Sequence, residues 1–119
     1  MAHILLAEDD EGLRVFLARG LRRAGHDVDA VGDGEAALAL AREHAYELLL
    51  ADVVMPGLDG VEVARRITAR RPAIRVMFIT GFAAVALGAT GFGANRPMVL
   101  PKPFHLRRLI EEVETLLAR

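Results

Sequence analysis

Cysteine is absent from the 119 residues. That removes disulfide scaffolds and thiolate metal sites, and it suits a reducing compartment. Long apolar runs are missing as well. No stretch approaches the ~20 residues that a membrane-spanning helix needs. The run 4–7 is too short for a signal peptide and has no basic segment before it. Charge of one sign is also lacking: 15 Lys and Arg stand against 16 Asp and Glu, a net charge of −1. Nothing overall therefore draws the chain to nucleic acid or to an anionic membrane. Internal repeats, linkers and low-complexity tails do not occur. Disorder is excluded from the other side, because 53% of the residues are hydrophobic. A chain of this length fits one domain and buries roughly two-thirds of its unfolded surface. The expectation is a soluble, cytoplasmic single domain.

What the chain does have is a regular alternation of short apolar runs and helix-period segments. His3–Ala7 reads as a buried strand. Asp10 or Glu11 opens a helix that runs to about residue 24, with Leu13, Phe16, Leu17 and Leu21 as its apolar face and Gly25 as its stop. Residues 26–31 form strand two, 35–44 helix two, and 47–52 strand three. Residues 55–60 form a loop by their Pro and Gly content, 61–70 a third helix ended by Pro72, and 74–80 strand four. Residues 82–87 read as a short helix, after which Gly88, Gly91, Gly93 and Pro97 deny a long one. Residues 98–100 form strand five, placed at the sheet edge by Pro101. The clearest helix covers 104–118, with Leu106, Leu109, Ile110, Val113, Leu116 and Leu117 in one stripe.

Five strand–helix units imply an α/β fold: a doubly wound, five-stranded parallel sheet with helices on both faces. The common small version has strand order 2-1-3-4-5 and carries its site at the switch point between strands one and three. The carboxyl ends of those strands are Glu8-Asp9 and Asp52.

Three carboxylates are thus expected to converge. Like charges at close range resist ionisation unless a cation joins them. An all-oxygen set suits Mg²⁺ before Ca²⁺, and Mg²⁺ takes one or two carboxylates together with waters and phosphate oxygens. The backbone carbonyl of Val54 can fill one further position. Thr80 ends strand four at the same edge, and Lys102 follows strand five. Carboxylate, metal, hydroxyl and lysine make a phosphoryl-transfer constellation. Asp52 attacks phosphorus, Mg²⁺ and Lys102 offset charge on the equatorial oxygens, and Thr80 bonds one of them. Taken singly, Thr80 is an ordinary strand former and Lys102 a solvated lysine; each gains its weight from the others. Asp10 and Glu11 belong to the helix start. His3, His26, His44 and His105 are scattered and read as structural or surface. The arginine pairs read as solvated helix faces. Phe82, Val85, Leu87 and Phe92 fall in a glycine-rich stretch and are either core or an exposed partner surface.

The segments Ile4-Leu-Leu-Ala-Glu-Asp-Asp10, Asp52-Val-Val-Met-Pro-Gly-Leu-Asp-Gly60, Thr80-Gly81 and Lys102-Pro-Phe104 resemble the receiver domains of bacterial two-component response regulators over the whole chain. The resemblance implies Asp52 as phosphoacceptor, Asp9 as direct Mg²⁺ ligand with Glu8 beside it, Thr80 as switch hydroxyl and Lys102 as phosphate-binding lysine. It also implies a cis Lys102–Pro103 bond, and a histidine kinase or histidine phosphotransfer protein as donor. One departure is Val99, where receivers often carry an aromatic. The segment 81–87, together with 103–107, resembles more narrowly the CpdR-type stand-alone receivers of alphaproteobacteria, which act as phosphorylation-controlled adaptors for the ClpXP protease.

The expectation is one receiver domain over 1–119, with no output domain after it. Its output would be a changed protein–protein surface formed by 82–97, strand five and the last helix. That surface would act as an adaptor, with the ClpX unfoldase as one effector, or as a phosphorelay shuttle; a receiver cut from a longer protein is a third reading. A monomer or weak dimer is expected. Rivals from other classes are a flavodoxin-like redox protein and an aspartyl-phosphate phosphohydrolase. The first needs a Ser/Thr/Gly phosphate loop where this chain has Glu8-Asp9-Asp10-Glu11. The second needs a general acid where this chain has Val54.

Overall fold

In the computed structural model, which describes residues 1–81 and 97–119, the alternation becomes a parallel sheet. Its strands are β1 (His3–Ala7), β2 (Asp27–Val31), β3 (Leu48–Asp52), β4 (Arg75–Thr80) and β5 (Met98–Pro101), in the order β2-β1-β3-β4-β5. Every neighbouring pair is parallel. The helices are α1 (Glu11–Arg23), α2 (Gly34–Glu43), α3 (Gly60–Arg70) and α4 (Leu106–Leu117). The short helix expected over 82–87, and the glycine-rich stretch after it, lie outside the described residues.

The strand sequences explain why both faces are covered. Successive side chains of a strand point to opposite faces. A continuous apolar run therefore needs helices on both sides. Ile4, Leu6, Leu48, Leu50, Met77 and Ile79 pack with α1 and α4 on one face. Leu5, Ala7, Leu49, Ala51, Val76 and Phe78 pack with α2 and α3 on the other. Each fully buried aliphatic side chain contributes ~1.5–3 kcal/mol, so the central strands β1, β3 and β4 are firmly held.

The helix starts follow one pattern. Asp10, Asp33 and Asp59 each cap a helix by accepting from the backbone N–H three residues on, at 2.9, 2.8 and 2.9 Å. Each such cap is worth ~1 kcal/mol. Asp10 thus takes the helix-start role expected of it. Gly25, at φ 100°, ends the turn after α1. Strand β5 lies at the sheet edge, as Pro101 requires.

Two expectations need correction. Phe16 is not on the buried face of α1; it is 52% exposed. The buried stripe is Leu17, Ala18, Gly20 and Leu21. Gly20 lies so close to Leu106 that an added Cβ would sit 2.7 Å from its Cδ2. α1 therefore packs through its small residues, and that rotation turns Phe16 to solvent. The last helix also starts later than expected. His105 is extended (φ −87°, ψ 145°), so α4 begins at Leu106, and Phe104 packs against the core instead.

Candidate functional site

The register of β1 on β3 pairs Ala7 with Ala51. The next residues, Glu8 and Asp52, therefore emerge side by side at the carboxyl edge. Glu8 is fully buried and Asp52 is 5% exposed, while Asp9 is exposed. One carboxylate oxygen from each of the three lies within 4.8 Å of the others. The convergence expected from strand order is present.

Each oxygen of Asp52 has its own donor. Oδ1 accepts from the Val54 backbone N–H at 3.0 Å. Oδ2 accepts from Lys102 Nζ at 2.8 Å. Lys102 is placed by its backbone, whose N–H donates to the Thr80 carbonyl at 2.7 Å. Thr80, the last residue of β4, is buried opposite Pro101. The Lys102–Pro103 peptide bond is cis. Val99 is partly buried against the α2–α3 side of the sheet.

Glu8 is the most constrained of the acids. Its Oε2 accepts from the Asp10 N–H at 3.0 Å. Its Oε1 is buried, has no hydrogen-bond partner among the described residues, and lies 3.7 Å from Lys102 Nζ. Burial, aided by the Asp52 charge, pushes Glu8 up to about 7, although the Asp10 N–H and Lys102 work the other way. Burial alone would depress Lys102. Its bond to Asp52 and the charges of Glu8, Asp52 and Asp9 outweigh that and raise it.

These facts together test the fit of a divalent cation. A buried carboxylate oxygen without a donor carries a desolvation cost. Of the three carboxylates within 4.8 Å, Glu8 and Asp52 share one ammonium, that of Lys102. The donor set is all oxygen, as a hard cation prefers. A Mg²⁺ ion fits this set.

Two residues that hold the site were not foreseen from sequence. Arg14 donates from Nη1 to the Glu8 carbonyl at 2.9 Å, tying α1 to the end of β1. Its position one turn into the helix over that strand end was the available signal. Gly60 starts α3 directly against the Asp52 carbonyl, where a Cβ would stand 2.1 Å from the oxygen. No local signal marks that approach.

Residues 4–114 match the family model of the response regulator receiver domain. The chain is 48% identical over 117 residues to the response regulator receiver protein CpdR of Brucella abortus, covering 98% of each. It is 39% identical over 116 residues to the transcriptional regulatory protein TctD of Salmonella typhimurium, of which it spans 52%. The solved receiver domain from the hybrid histidine kinase CckA is 36% identical, with a TM-score of 0.82 over 97% of this chain and 98% of that one. No helix among the described residues is long and apolar enough to cross a membrane.

Proposed function

This chain belongs to the response regulator receiver domain family, and from that premise we propose that it is a phosphorylation-controlled switch whose acceptor is Asp52. The observation that carries this reading is the pair of donors on the Asp52 carboxylate. Val54 N–H and Lys102 Nζ fix its two oxygens, in a site that also gathers Glu8 and Asp9.

In the proposed step an Asp52 oxygen attacks the phosphorus of a phosphohistidine. A P–O bond forms, the P–N bond breaks, and the imidazole leaves on the donor, a histidine kinase or histidine phosphotransfer protein. Lys102 gives up its hydrogen bond to Asp52 and places its ammonium against the phosphoryl oxygens. Thr80 donates its hydroxyl to one of them. Glu8, Asp9, Asp52 and the Val54 carbonyl are assigned to Mg²⁺, which when bound supplies positive charge beside the buried Glu8 carboxylate and neutralises phosphoryl charge. Self-phosphorylation from small donors and self-dephosphorylation are slow side reactions, so the protein acts as a switch and not as a turnover enzyme.

The output we assign is altered protein binding by a cytoplasmic, monomeric or weakly dimeric receiver spanning 1–119. Support for an adaptor of the ClpXP protease, with the ClpX unfoldase as partner, is the likeness to CpdR over nearly its full length. The likeness to the CckA receiver domain favours a second output, a phosphorelay shuttle. Binding to a purified ClpX N-domain, set against phosphotransfer to a second histidine protein, separates the two.

The acceptor itself is tested with acetyl phosphate and Mg²⁺ followed by intact-protein mass spectrometry. One phosphoryl mass is expected on the wild type and none on Asp52→Asn. Equal labelling of that variant would remove the assignment.

A further inference from the structure

The carboxyl halves of α2 and α3 leave a hollow between them, with a cavity of about 190 Å³. Its floor is Leu38, Ala41 and Ile67, and its rim is Arg42, Arg66, Arg70 and Arg71. Leu38 and Ile67 belong to the buried core beneath. Arg66 is bonded to Glu62 at 3.0 Å. Arg42, Arg70 and Arg71 make no ion pair with any carboxylate among the described residues. Arg42 and Arg70 lie in the last turns of α2 and α3, where a cation complements the helix dipole. That accounts for two of the guanidinium groups. It leaves Arg71, and it leaves the apolar hollow that the cations surround.

We propose that this hollow docks an acidic segment of a partner protein, which inserts one aromatic side chain between α2 and α3 and lays carboxylates on Arg42, Arg70 and Arg71. Size points to a single side chain. A cavity of roughly 150 Å³ accepts a benzene ring, whereas ligand pockets for larger molecules begin at about 300 Å³. The floor side chains carry no polar atom with which to read a nucleobase edge. Guanidinium groups pair with carboxylates in a planar fork and stack on aromatic faces. An aromatic flanked by acids is therefore complementary to a greasy floor with an arginine rim, in the manner of acidic-motif recognition.

The hollow also sits at the opposite end of the sheet from Asp52. In a parallel α/β sheet each crossover helix runs back toward the amino edge, so the carboxyl halves of α2 and α3 lie away from the acceptor. Binding there is thus independent of the phosphoryl state. A molecule with one phosphorylation-controlled surface and one constitutive groove can hold two partners at once.

The test is a titration of the ¹⁵N-labelled full chain with a short blocked peptide carrying one Phe between pairs of Glu. Amide shifts are expected within 38–42 and 66–71. The affinity should fall about tenfold in the double variant Arg42→Glu/Arg70→Glu, because two exposed rim charges then repel the peptide's carboxylates, and similarly when the peptide's Phe becomes Ala. It should not change when beryllofluoride and Mg²⁺ are added. If the double variant fails a circular-dichroism check of folding, Arg71→Glu alone, beyond the end of α3, takes its place. No shifts at millimolar peptide would overturn the proposal, as would equal binding of the Phe→Ala peptide. So would stronger shifts of the same amides by a mononucleotide or a short single-stranded RNA. Peptide binding is read without phosphorylation, so its failure and the failure of Asp52 as acceptor are distinguishable.

Discussion

Replacing Gly60 by alanine removes no interaction, yet it should be among the most damaging small substitutions in this chain. An added Cβ would stand 2.1 Å from the Asp52 carbonyl oxygen, 2.9 Å from its carbon and 3.2 Å from Val53 Cα. The first is more than 1 Å inside the 3.4 Å at which ordinary contact begins. All three atoms are backbone. They lie at the end of β3, which is paired on both sides and continues into the 3.0 Å bond from Val53 N–H to the Ile79 carbonyl. The strand cannot yield, so α3 must retreat. Retreat stretches the 3.1 Å bond from Gly60 N–H to the Val53 carbonyl and disturbs the Asp59 cap. Overpacking costs ~1–3 kcal/mol, and partial loss of a hydrogen bond and a cap adds ~1 kcal/mol. Alanine's better helix propensity returns at most ~1 kcal/mol. The net loss is about 1–3 kcal/mol, or on the order of 4–12 °C in Tm for a domain of this size. Gly12→Ala is the control. Gly12 is exposed in the first turn of α1 and its Cβ would meet only Asp10 Oδ1 at 3.4 Å, so that variant should be stabilised by ~0.5–1 kcal/mol. Urea unfolding of both variants, with phosphoryl uptake from acetyl phosphate as a second readout, decides the matter. A Gly60→Ala protein as stable as wild type would refute the reasoning.

Asp9→Ala should abolish most of the Tm increase produced by millimolar Mg²⁺ while leaving the metal-free protein as stable or more so, because one of three neighbouring negative charges is gone; an undiminished Mg²⁺ shift would remove Asp9 from the metal set. His26→Ala should cost about 2–3 kcal/mol in urea unfolding, since the buried ring accepts from the Ala2 N–H at 3.1 Å on Nδ1 and pairs with Glu114 at 2.6 Å on Nε2. Asp29 is held below the usual carboxylate range chiefly by the hydroxyl of Tyr46, which donates to it at 2.6 Å. Its contribution is therefore complete above about pH 4 and is lost as pH falls through the lowered folded value. Tyr46→Phe should flatten that acid limb of the stability curve, and an unchanged limb would show the bond to be inconsequential.

Much of this molecule is legible in its sequence because its strands are buried on both faces. A run such as Ile4-Leu-Leu-Ala7 can be little else, and once five such runs alternate with helices the strand order follows and brings Glu8, Asp9 and Asp52 together. Asp10, Asp33 and Asp59 mark helix starts because a short acid in front of a helix has one clear use. What was not legible depends on distances that no local pattern records. Phe16 satisfies the helical spacing of an apolar face, but α1 packs through Ala18 and Gly20, small residues that add little to such a pattern. His26 joins Ala2 and Glu114, 24 and 88 residues away. His3 faces Asp29 at 3.1 Å and lies against Tyr46 with ring centroids 4.4 Å apart and the planes tilted by 46°. His3 and His26 thus hold structural places, one of the two readings, structural or surface, that the scattered histidines allow, but their partners emerge only when the chain folds. The output surface expected over 82–97 lies almost wholly outside the described residues, so its role stays with the proposal.

The position of Lys102 connects the acceptor to that surface by a short physical route. Its ammonium is bonded to Asp52 and stands 3.7 Å from Glu8, so it balances two buried acids at the carboxyl edge. On the proposed assignment, a phosphoryl group on Asp52 takes that oxygen out of reach and offers the ammonium new acceptors farther from the strand end. The lysine backbone cannot follow freely, because its N–H is held by the Thr80 carbonyl at 2.7 Å. Any shift of Lys102 therefore loads the β4–β5 junction, where Thr80 itself is drawn toward the phosphoryl oxygens. Both pulls act on the same pair of strand ends, immediately before Gly81 and after Pro101. With Val99 in place of an aromatic, β5 has no aromatic ring to take up the change by a rotamer swing. On that assignment the displacement is carried by the backbone of the two strand ends, Thr80–Gly81 and Pro101–Lys102, which the Lys102 N–H bond to the Thr80 carbonyl ties together.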